Sequence, residues 1–333
     1  MIVPAYYEEF QCVADACRHN CCIGWEIDID EETAARYQKI PGELGDRLRR
    51  QIAGDPPHFI LDDEGRCPCL TGENLCALLL TQGQDYLCQI CRDHPRFRNF
   101  WPDRVEMGLG ACCEEAARLM LSQRTPLVLI HNGMDCGKAA EPPVLTEEQR
   151  RERNWADLLY QLRDRLFSAV YQDDRSLDEM EREVLRLADT TIPNRTAEEW
   201  ALFYLDLERL DETWTDVLHI VLTYGKTADR SAFERRMMER KAEYQNMLAY
   251  FLYRHVPEAL EDGDLAGKVA FAVLSCRFLR LAGAAWYEKY DGFSVCDQTE
   301  LFRMYSAEIE YSQDNMDAVY DMLWETFENS EEQ

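Results

Sequence analysis

The first residues of the sequence do not have the pattern of a secretory signal, and long hydrophobic runs are missing. Its first ten residues contain no basic residue and no apolar core of the kind that begins a secretory signal. No stretch approaches the roughly 18 uncharged apolar residues that a membrane-spanning helix needs. We therefore expect a soluble, cytosolic protein that has no membrane partner.

Basic charge is also scarce. The sequence has 36 Lys and Arg against 63 Asp and Glu, a formal net charge of −27. Nucleic-acid binding needs cationic side chains against phosphate, so the composition predicts no nucleic-acid partner. A basic protein partner would be attracted to such a surface, although a merely solvated acidic surface explains the same composition.

Two cofactor signatures are missing. Gly108-Leu-Gly110 is a lone G-x-G without the strand and helix that a dinucleotide fingerprint requires. The radical-type C-x3-C-x2-C motif would need a cysteine at position 24, where Gly24 stands. We therefore expect neither a Rossmann-type site nor radical chemistry based on that motif.

Cysteine, in contrast, is abundant: eleven of the fourteen cysteines lie in the first 113 residues. Because a reducing cytosol disfavours disulfides, this density predicts metal binding. Only Cys88 and Cys91 form a clean C-x2-C pair, whereas zinc sites prefer two such pairs. The irregular spacing favours an iron–sulfur cluster, which accepts ligands from scattered loops, and zinc remains the alternative metal.

Eight cysteines are the predicted metal ligands, and the spacing leaves open whether they form one site or two. Cys12 is undecided between ligand and buried apolar residue. Cys69 and Cys112 each lie beside a stronger candidate and are predicted to be spare, while Cys276 and Cys296 are predicted core residues. The predicted ligands are Cys17, Cys21, Cys22, Cys67, Cys76, Cys88, Cys91 and Cys113.

The chain divides into two regions of different pattern. Turn and proline signals over residues 132–143 precede Thr146, which with Gln149 has the form of a capping box. We predict a cysteine-rich, metal-binding domain at residues 1–135, a linker at 136–146 and a helical domain at 147–333. The fold class is mainly α: a small metal-organised N-terminal domain with minor β structure, followed by an all-helical C-terminal bundle.

The local predictions follow the periodicity. Apolar residues at helical spacing predict six or seven helices after residue 147, including one over 237–253 and one over 300–327. In the first region we expect a helix over residues 31–51 and a strand beginning near Phe59. A second strand is expected over 104–109, before a helix over 114–121.

Several segments of the sequence resemble the flagellin lysine-N-methylase family. The resemblance begins with residues 10–30, which carry the first four cysteines, and continues through residues 66–70, 74–76, 87–96 and 113–118. In the second region, residues 250–255 and 308–315 are similar to family blocks. The chain departs from the family pattern at Cys69, Cys112, Glu114 and Tyr311. A broader group of zinc- or iron-chelating proteins shares some of the cysteine elements.

The resemblance implies a fold and an activity. It implies methyl transfer from S-adenosylmethionine to the Nζ atoms of flagellin lysines, in a protein that carries a 4Fe-4S cluster. Tentative amine-contacting or catalytic residues are Glu308, Glu310, Tyr311 and Asn315, and a structural role on a helix is an equal alternative. Trp25, Arg92 and Arg96 are the residues that we expect to contact the methyl donor. Two other functions stay open: a non-catalytic zinc- or iron-chelating interaction module, and an iron–sulfur oxidoreductase.

Overall fold

The computed structural model describes residues 1–25, 27–131 and 146–331. Cys136 and nearly all of the predicted linker, residues 136–145, lie outside the described residues. By their contacts the residues fall into two compact units. The thiol-rich unit comprises Gln11–Phe97 and Cys113–Glu115. The helical unit comprises Met1–Phe10, Arg98–Cys112 and Ala116–Gln333.

Helices dominate the described part of the chain, which confirms the prediction of a mainly α protein. The strands are β1 Ile2–Pro4, β2 Ile52–Ala53, β3 His58–Phe59, β4 Arg96–Trp101, β5 Arg104–Leu109 and β6 Leu129–His131. The first five helices are α1 Glu31–Tyr37, α2 Gly42–Arg50, α3 Ala77–Gln82, α4 Gln89–Asp93 and α5 Glu114–Ser122. The later helices are α6 Glu147–Val170, α7 Leu177–Leu187, α8 Ala197–Asp206, α9 Glu212–Tyr224, α10 Arg230–Met237, α11 Lys241–His255, α12 Ala259–Asp262, α13 Leu265–Tyr290, α14 Val295–Tyr305 and α15 Gln313–Glu331.

The predicted strand over 104–109 and the predicted helix beginning at 114 correspond to β5 and α5. The helix predicted over 31–51 was wrong as a single element. It is two helices, because Pro41 disfavours helical backbone in Ile40 and Gly42 takes a positive φ of 77°.

The number of helices after residue 147 was also underestimated. Within residues 146–331 the structure has ten α-helices rather than six or seven. The segment predicted as one helix over 300–327 is interrupted by a π-helical turn, Ser306–Glu310, between α14 and α15. The segment over 237–253 begins with a 3₁₀ turn, Met238–Arg240, before α11. Hydrophobic periodicity continues across such short interruptions, so it cannot reveal them.

In the helical unit, a four-stranded sheet has the order β4-β5-β1-β6. Strand β1 is parallel to β5, with Ile2 opposite Glu106, and antiparallel to β6. Glu106 forms a bidentate pair with Arg163 of α6 at 2.6 and 2.7 Å, and both side chains are fully buried. The pair satisfies both carboxylate oxygens of Glu106 and two of the three guanidinium nitrogens of Arg163, and it ties the sheet to the helix.

Helix α13 forms the centre of the helical unit. Eighteen of its residues are buried, and its Phe278 packs against the aromatic rings of Tyr204 and Tyr305. It is the one helix in the described part of the chain that is long and apolar enough to span a membrane, and 89% of its apolar window is buried inside the protein. This degree of burial is typical of a core helix.

Candidate functional site

Seven cysteines converge in the core of the thiol-rich unit. Backbone pairing brings distant segments together: the amide of Cys67 donates to the carbonyl of Cys22 at 2.8 Å, and the amide of Ala77 donates to that of Cys69 at 2.7 Å. The cysteines pack with Tyr37, Phe59 and other apolar residues of α1, α2 and β3. We call this group the thiol cluster; its members are Cys21, Cys22, Cys67, Cys69, Cys76, Cys88 and Cys91.

Within the thiol cluster, six thiols form three hydrogen-bonded pairs. The pairs are Cys21–Cys22, Cys67–Cys69 and Cys88–Cys91. In each pair the hydrogen bond lowers the pKa of the first cysteine and raises that of the second. Charge interactions connect the pairs, because Cys22 interacts with Cys67 and Cys76, and Cys91 interacts with Cys22. The thiols therefore form one electrostatically linked group.

Cys17 and Cys113, the two remaining predicted ligands, lie in a neighbouring part of the same unit. Arg18 pairs with Glu114 at 2.7 Å and its amide donates to the same carboxylate at 3.1 Å, so the two cysteine-bearing segments are adjacent. Burial raises the pKa of the half-buried Cys17 thiol, which also interacts with Cys21 and Cys12. The eight predicted ligands thus divide into six within the thiol cluster and two beside it.

The donor set of the thiol cluster fits a thiophilic metal. Thiolate sulfur is the ligand of iron–sulfur clusters and of structural zinc, and four thiolates hold one 4Fe-4S cluster. Across residues 1–25, 27–131 and 146–331, no three or more His, Cys, Asp or Glu are arranged as a ready metal site. The chemistry of the group therefore fits a metal, whereas the arrangement of its thiols does not by itself define a ligand set.

Trp25 and Arg96, two of the residues predicted to contact the methyl donor, both lie next to His94. The Trp25 ring contacts the His94 ring edge-on with centroids 6.4 Å apart. Burial, and then the nearby Arg96, lower the pKa of His94 to about 4. An Arg96 guanidinium nitrogen donates to the carbonyl of Arg92 at 3.4 Å, and Arg92 is exposed at the end of α4. Trp25 and Arg96 thus both lie next to His94, and Arg92 is connected to Arg96 through its backbone carbonyl.

In the helical unit, the π-helical turn places Glu310 in a buried polar network. Its carboxylate accepts from the Tyr250 hydroxyl at 2.9 Å, contacts His255 Nε2 at 2.7 Å and pairs with Arg254 at 3.4 Å. The π turn offsets the helix register here, a geometry often found at functional sites. We call Tyr250, Arg254, His255 and Glu310 the Glu310 network.

The charges of the Glu310 network stabilise one another. Burial alone would raise the pKa of Glu310, but Arg254 and His255 bring it below its usual value. Burial alone would lower the pKa of His255, but the hydrogen bonds that its ring donates to Glu258 and Glu310 raise it. The opposed charges therefore favour a carboxylate and an imidazolium in the protein interior.

Tyr311 extends this network on the other side of Arg254. The Arg254 guanidinium lies 4.7 Å from the centre of the Tyr311 ring. Burial, and then Cys112, raise the pKa of Tyr311, whose hydroxyl is hydrogen-bonded to the Cys112 thiol. Gly110 permits this arrangement, because a Cβ at that position would collide with the Tyr311 hydroxyl. Cys112, which was predicted to have no role as a ligand, thus has Tyr311 as its partner in the helical unit.

Glu308 and Asn315 lie apart from the Glu310 network. Glu308 accepts from the amide of Leu210 at 3.0 Å, and Asn315 donates to the carbonyls of Glu308 and Glu208 at 2.7 and 2.9 Å. Both residues therefore hold the segment between α8 and α9. The second carboxylate oxygen of Glu308 is buried without a hydrogen-bond partner in the described structure, and burial raises the pKa of Glu308. The raised pKa means that this buried carboxylate holds a proton more readily than an exposed one.

The sequence reasoning missed several residues that complete these groups. Cys69 belongs to the thiol cluster although it was predicted to be spare, and its spacing of two from Cys67 was an available signal. Tyr250 and Arg254 were noted only as part of a family block. Their spacing of four on one helix face is the available signal for a shared partner.

Comparisons with known proteins agree on one family. The family model for the FliB lysine N-methylase C-terminal domain matches residues 146–332. The lysine-N-methylase of Salmonella typhimurium is 29% identical over 140 residues, which cover 38% of this chain and 33% of that protein. The flagellar biosynthetic protein FliU of Salmonella muenchen is 27% identical over 138 residues, which cover 38% of this chain and 79% of that protein. The match thus spans about one third of the length of the Salmonella lysine-N-methylase, and no solved structure matches.

Proposed function

The chain belongs to the FliB lysine N-methylase family, and from this we propose that it is a protein-lysine N-methyltransferase. The observation that carries the proposal is the family match over residues 146–332, more than half of the chain. We propose S-adenosylmethionine as the methyl donor and flagellin lysines as the acceptors. The relatives' names, lysine-N-methylase and a flagellar biosynthetic protein, support this choice.

For the thiol-rich unit we propose a metal-organised domain that binds one 4Fe-4S cluster. About four cysteines would hold it, and the three hydrogen-bonded thiol pairs supply more than enough. Bound, the cluster would contribute folding energy to a unit with a small apolar core and present a polarising iron centre. Zinc is the alternative, since the same thiols suit it.

Methyl transfer requires a neutral lysine amine that lies in line with the methyl group of the donor. A carboxylate of raised pKa is the appropriate proton acceptor, and Glu308 has both the raised pKa and an unpartnered oxygen. Glu310 and Tyr311 would act by holding Arg254 and the π-helical turn in place. For the donor we propose Trp25 as the aromatic contact, and Arg92 and Arg96 as partners of its carboxylate.

Charge and compartment are consistent with this role. A lysine-bearing substrate is cationic, and the net charge of −27 would attract it. We propose that the reaction takes place in the cytosol, on flagellin before its export.

The test is a mass measurement. Anaerobically purified protein is incubated with flagellin, with or without S-adenosylmethionine, and the mass of intact flagellin is measured by mass spectrometry. Donor-dependent increments of one methyl group are expected. The Glu308→Gln variant should lose most of this activity, while the matched exposed variant Glu288→Gln should keep it. Absent increments would instead favour the non-catalytic chelating module, and donor-independent increments would contradict S-adenosylmethionine as the donor.

A second measurement addresses the metal. Iron and sulfide are quantified in anaerobically purified protein, and the visible spectrum is recorded. Broad visible absorbance with matching iron and sulfide is expected for a cluster, whereas zinc leaves the solution colourless because its d-shell is full. Electron transfer to an added acceptor without methyl transfer would support the oxidoreductase alternative.

A further inference from the structure

A cavity of about 590 Å³ opens in the helical unit, in a wall made by α9, α13 and α14. Three aromatic residues and two carboxylates contribute to its lining. They are Tyr224, Trp286, Tyr290, Asp216 and Glu300. None of them belongs to the thiol cluster or to the Glu310 network, so this cavity is a separate feature.

The aromatic faces of the cavity can accept a cation. The Trp286 and Tyr290 rings have centroids 5.0 Å apart at an interplanar angle of 49°, so they form two walls of a corner rather than a closed stack. Tyr290 is 53% exposed, which leaves its ring accessible. The Lys289 ammonium already lies 4.6 Å from the centre of that ring, a geometry typical of cation–π interaction.

One of the two carboxylates that line the cavity is available to a cation held near these rings. Asp216 is exposed and has no ion pair within the residues that the structure describes, while Glu300 pairs with Arg303 at 2.7 Å. Lys289 and His219 also line the cavity. Lys289 is an internal competitor for the ring face that an incoming ammonium group would use.

We propose that this cavity binds the methylated lysine side chain of the protein substrate. The proposal rests on the proposed function, because a lysine methyltransferase generates such side chains. Methylation keeps the positive charge and weakens its hydration, so aromatic walls favour a methylated ammonium over an unmodified one. The volume is large enough for a lysine side chain together with its flanking backbone. A substrate with several lysines would thus be retained after its first modification.

The test compares two peptides that differ only in one side chain, lysine or trimethyl-lysine. Calorimetric titration of the full-length protein should give about three- to tenfold tighter binding of the trimethylated peptide. Trp286→Ala and Tyr290→Ala should remove this preference. Trp324→Ala, which removes an exposed tryptophan outside the cavity, should retain it. Lys289→Ala should strengthen binding by freeing the Tyr290 ring.

Equal affinity for the two peptides would overturn the proposal, as would a preference that survives in Tyr290→Ala. Because Tyr290 is exposed, this variant is expected to fold, and circular dichroism checks it. Transfer of the first methyl group to flagellin is measured on the same samples. Transfer without a peptide preference refutes this cavity's role alone, whereas a preference without transfer supports the binding site and refutes the proposed enzyme activity.

Discussion

The thiol-rich unit and the helical unit differ in the interactions that stabilise them. The core of the thiol-rich unit contains ten buried residues, of which three are cysteines. In the helical unit, α13 alone buries eighteen residues. A small apolar core supplies little free energy beyond the entropy that folding costs, so thiol ligation has most to contribute in the thiol-rich unit. The comparison teaches that the cysteines are concentrated where apolar burial is weakest.

The largest expected difference between the units is their response to loss of thiol ligands. The double variant Cys88→Ser/Cys91→Ser should lose bound metal and destabilise the thiol-rich unit, since metal ligation contributes roughly 10 kcal/mol in small metal-organised domains. Limited proteolysis should then cut within Gln11–Phe97 while residues 146–331 persist. Cys296→Ser is the control, because Cys296 is exposed and its prediction as a core residue was wrong, whereas Cys276 is buried as predicted. Unchanged metal content and an unchanged digest in the double variant would remove the proposed distinction between the units.

A smaller effect is expected from the buried ion pair of the helical unit. Arg163→Met leaves Glu106 without its partner in a site where both side chains are fully buried, which should lower the free energy of unfolding by about 3–5 kcal/mol. Urea unfolding followed by circular dichroism measures the change. Arg186→Met breaks an exposed pair with Glu183 and should have no measurable effect. Equal results for the two variants would show that burial does not govern ion pairs in this unit.

The Glu310 network should make the stability of the helical unit depend on pH. Because the folded pKa of His255 is raised above 6.5, its contribution is complete below pH 6.5 and is lost as the pH rises through the folded pKa. The wild-type protein should therefore exceed His255→Gln most clearly in mildly acid solution, and the difference should shrink at alkaline pH. Urea unfolding across this range provides the measurement, with the exposed His219→Gln as the control. If the stability difference between the wild type and His255→Gln does not change with pH, the prediction that the His255 ring is charged in the folded protein is wrong.

In acid solution, a carboxylate whose pKa is lowered in the folded protein shows the opposite pH dependence: it stabilises the protein at higher pH and loses this effect as the pH falls. The pKa of Glu258 falls to about 2, because the hydrogen bond from His255 and the charges of His255 and Lys268 outweigh the effect of burial. Its contribution is therefore present above its ordinary pKa of 4.5 and is lost only as the pH falls toward 2. Glu258→Gln should remove this part of the acid transition and, because Glu258 also raises the pKa of His255, move the alkaline transition to lower pH.

The smallest expected effect is local to one helix. The Thr146 hydroxyl accepts from the amide of Gln149 at 3.2 Å, and the Gln149 side chain accepts from the amide of Thr146 at 3.0 Å. Thr146→Ala should cost about 1 kcal/mol of stability, measured by thermal unfolding. Thr191→Ala, an exposed loop position, should change nothing. An equal loss in both variants would show that the cap does not stabilise α6.

Much of the secondary structure was predictable because its signals are local. The capping box at Thr146, strand β5 and helix α5 all appear as expected. The π-helical turn at Ser306–Glu310 was not predictable, since apolar periodicity continues through it. The resemblance identified the four candidate residues near this turn. It did not predict that they form two separate groups, Glu310 with Tyr311 and Glu308 with Asn315.

The sequence by itself determined the family, the mainly helical class and the abundance of thiols in the first 113 residues. Each of these depends on composition or on neighbours within a few positions. Only the tertiary structure decided that Cys69 joins the thiol cluster and that Cys17 lies beside it. It also decided that Glu310 meets His255 and Tyr250, which are 55 and 60 positions away. Such contacts depend on how whole elements pack, and the spacing of residues along the chain does not encode that packing locally.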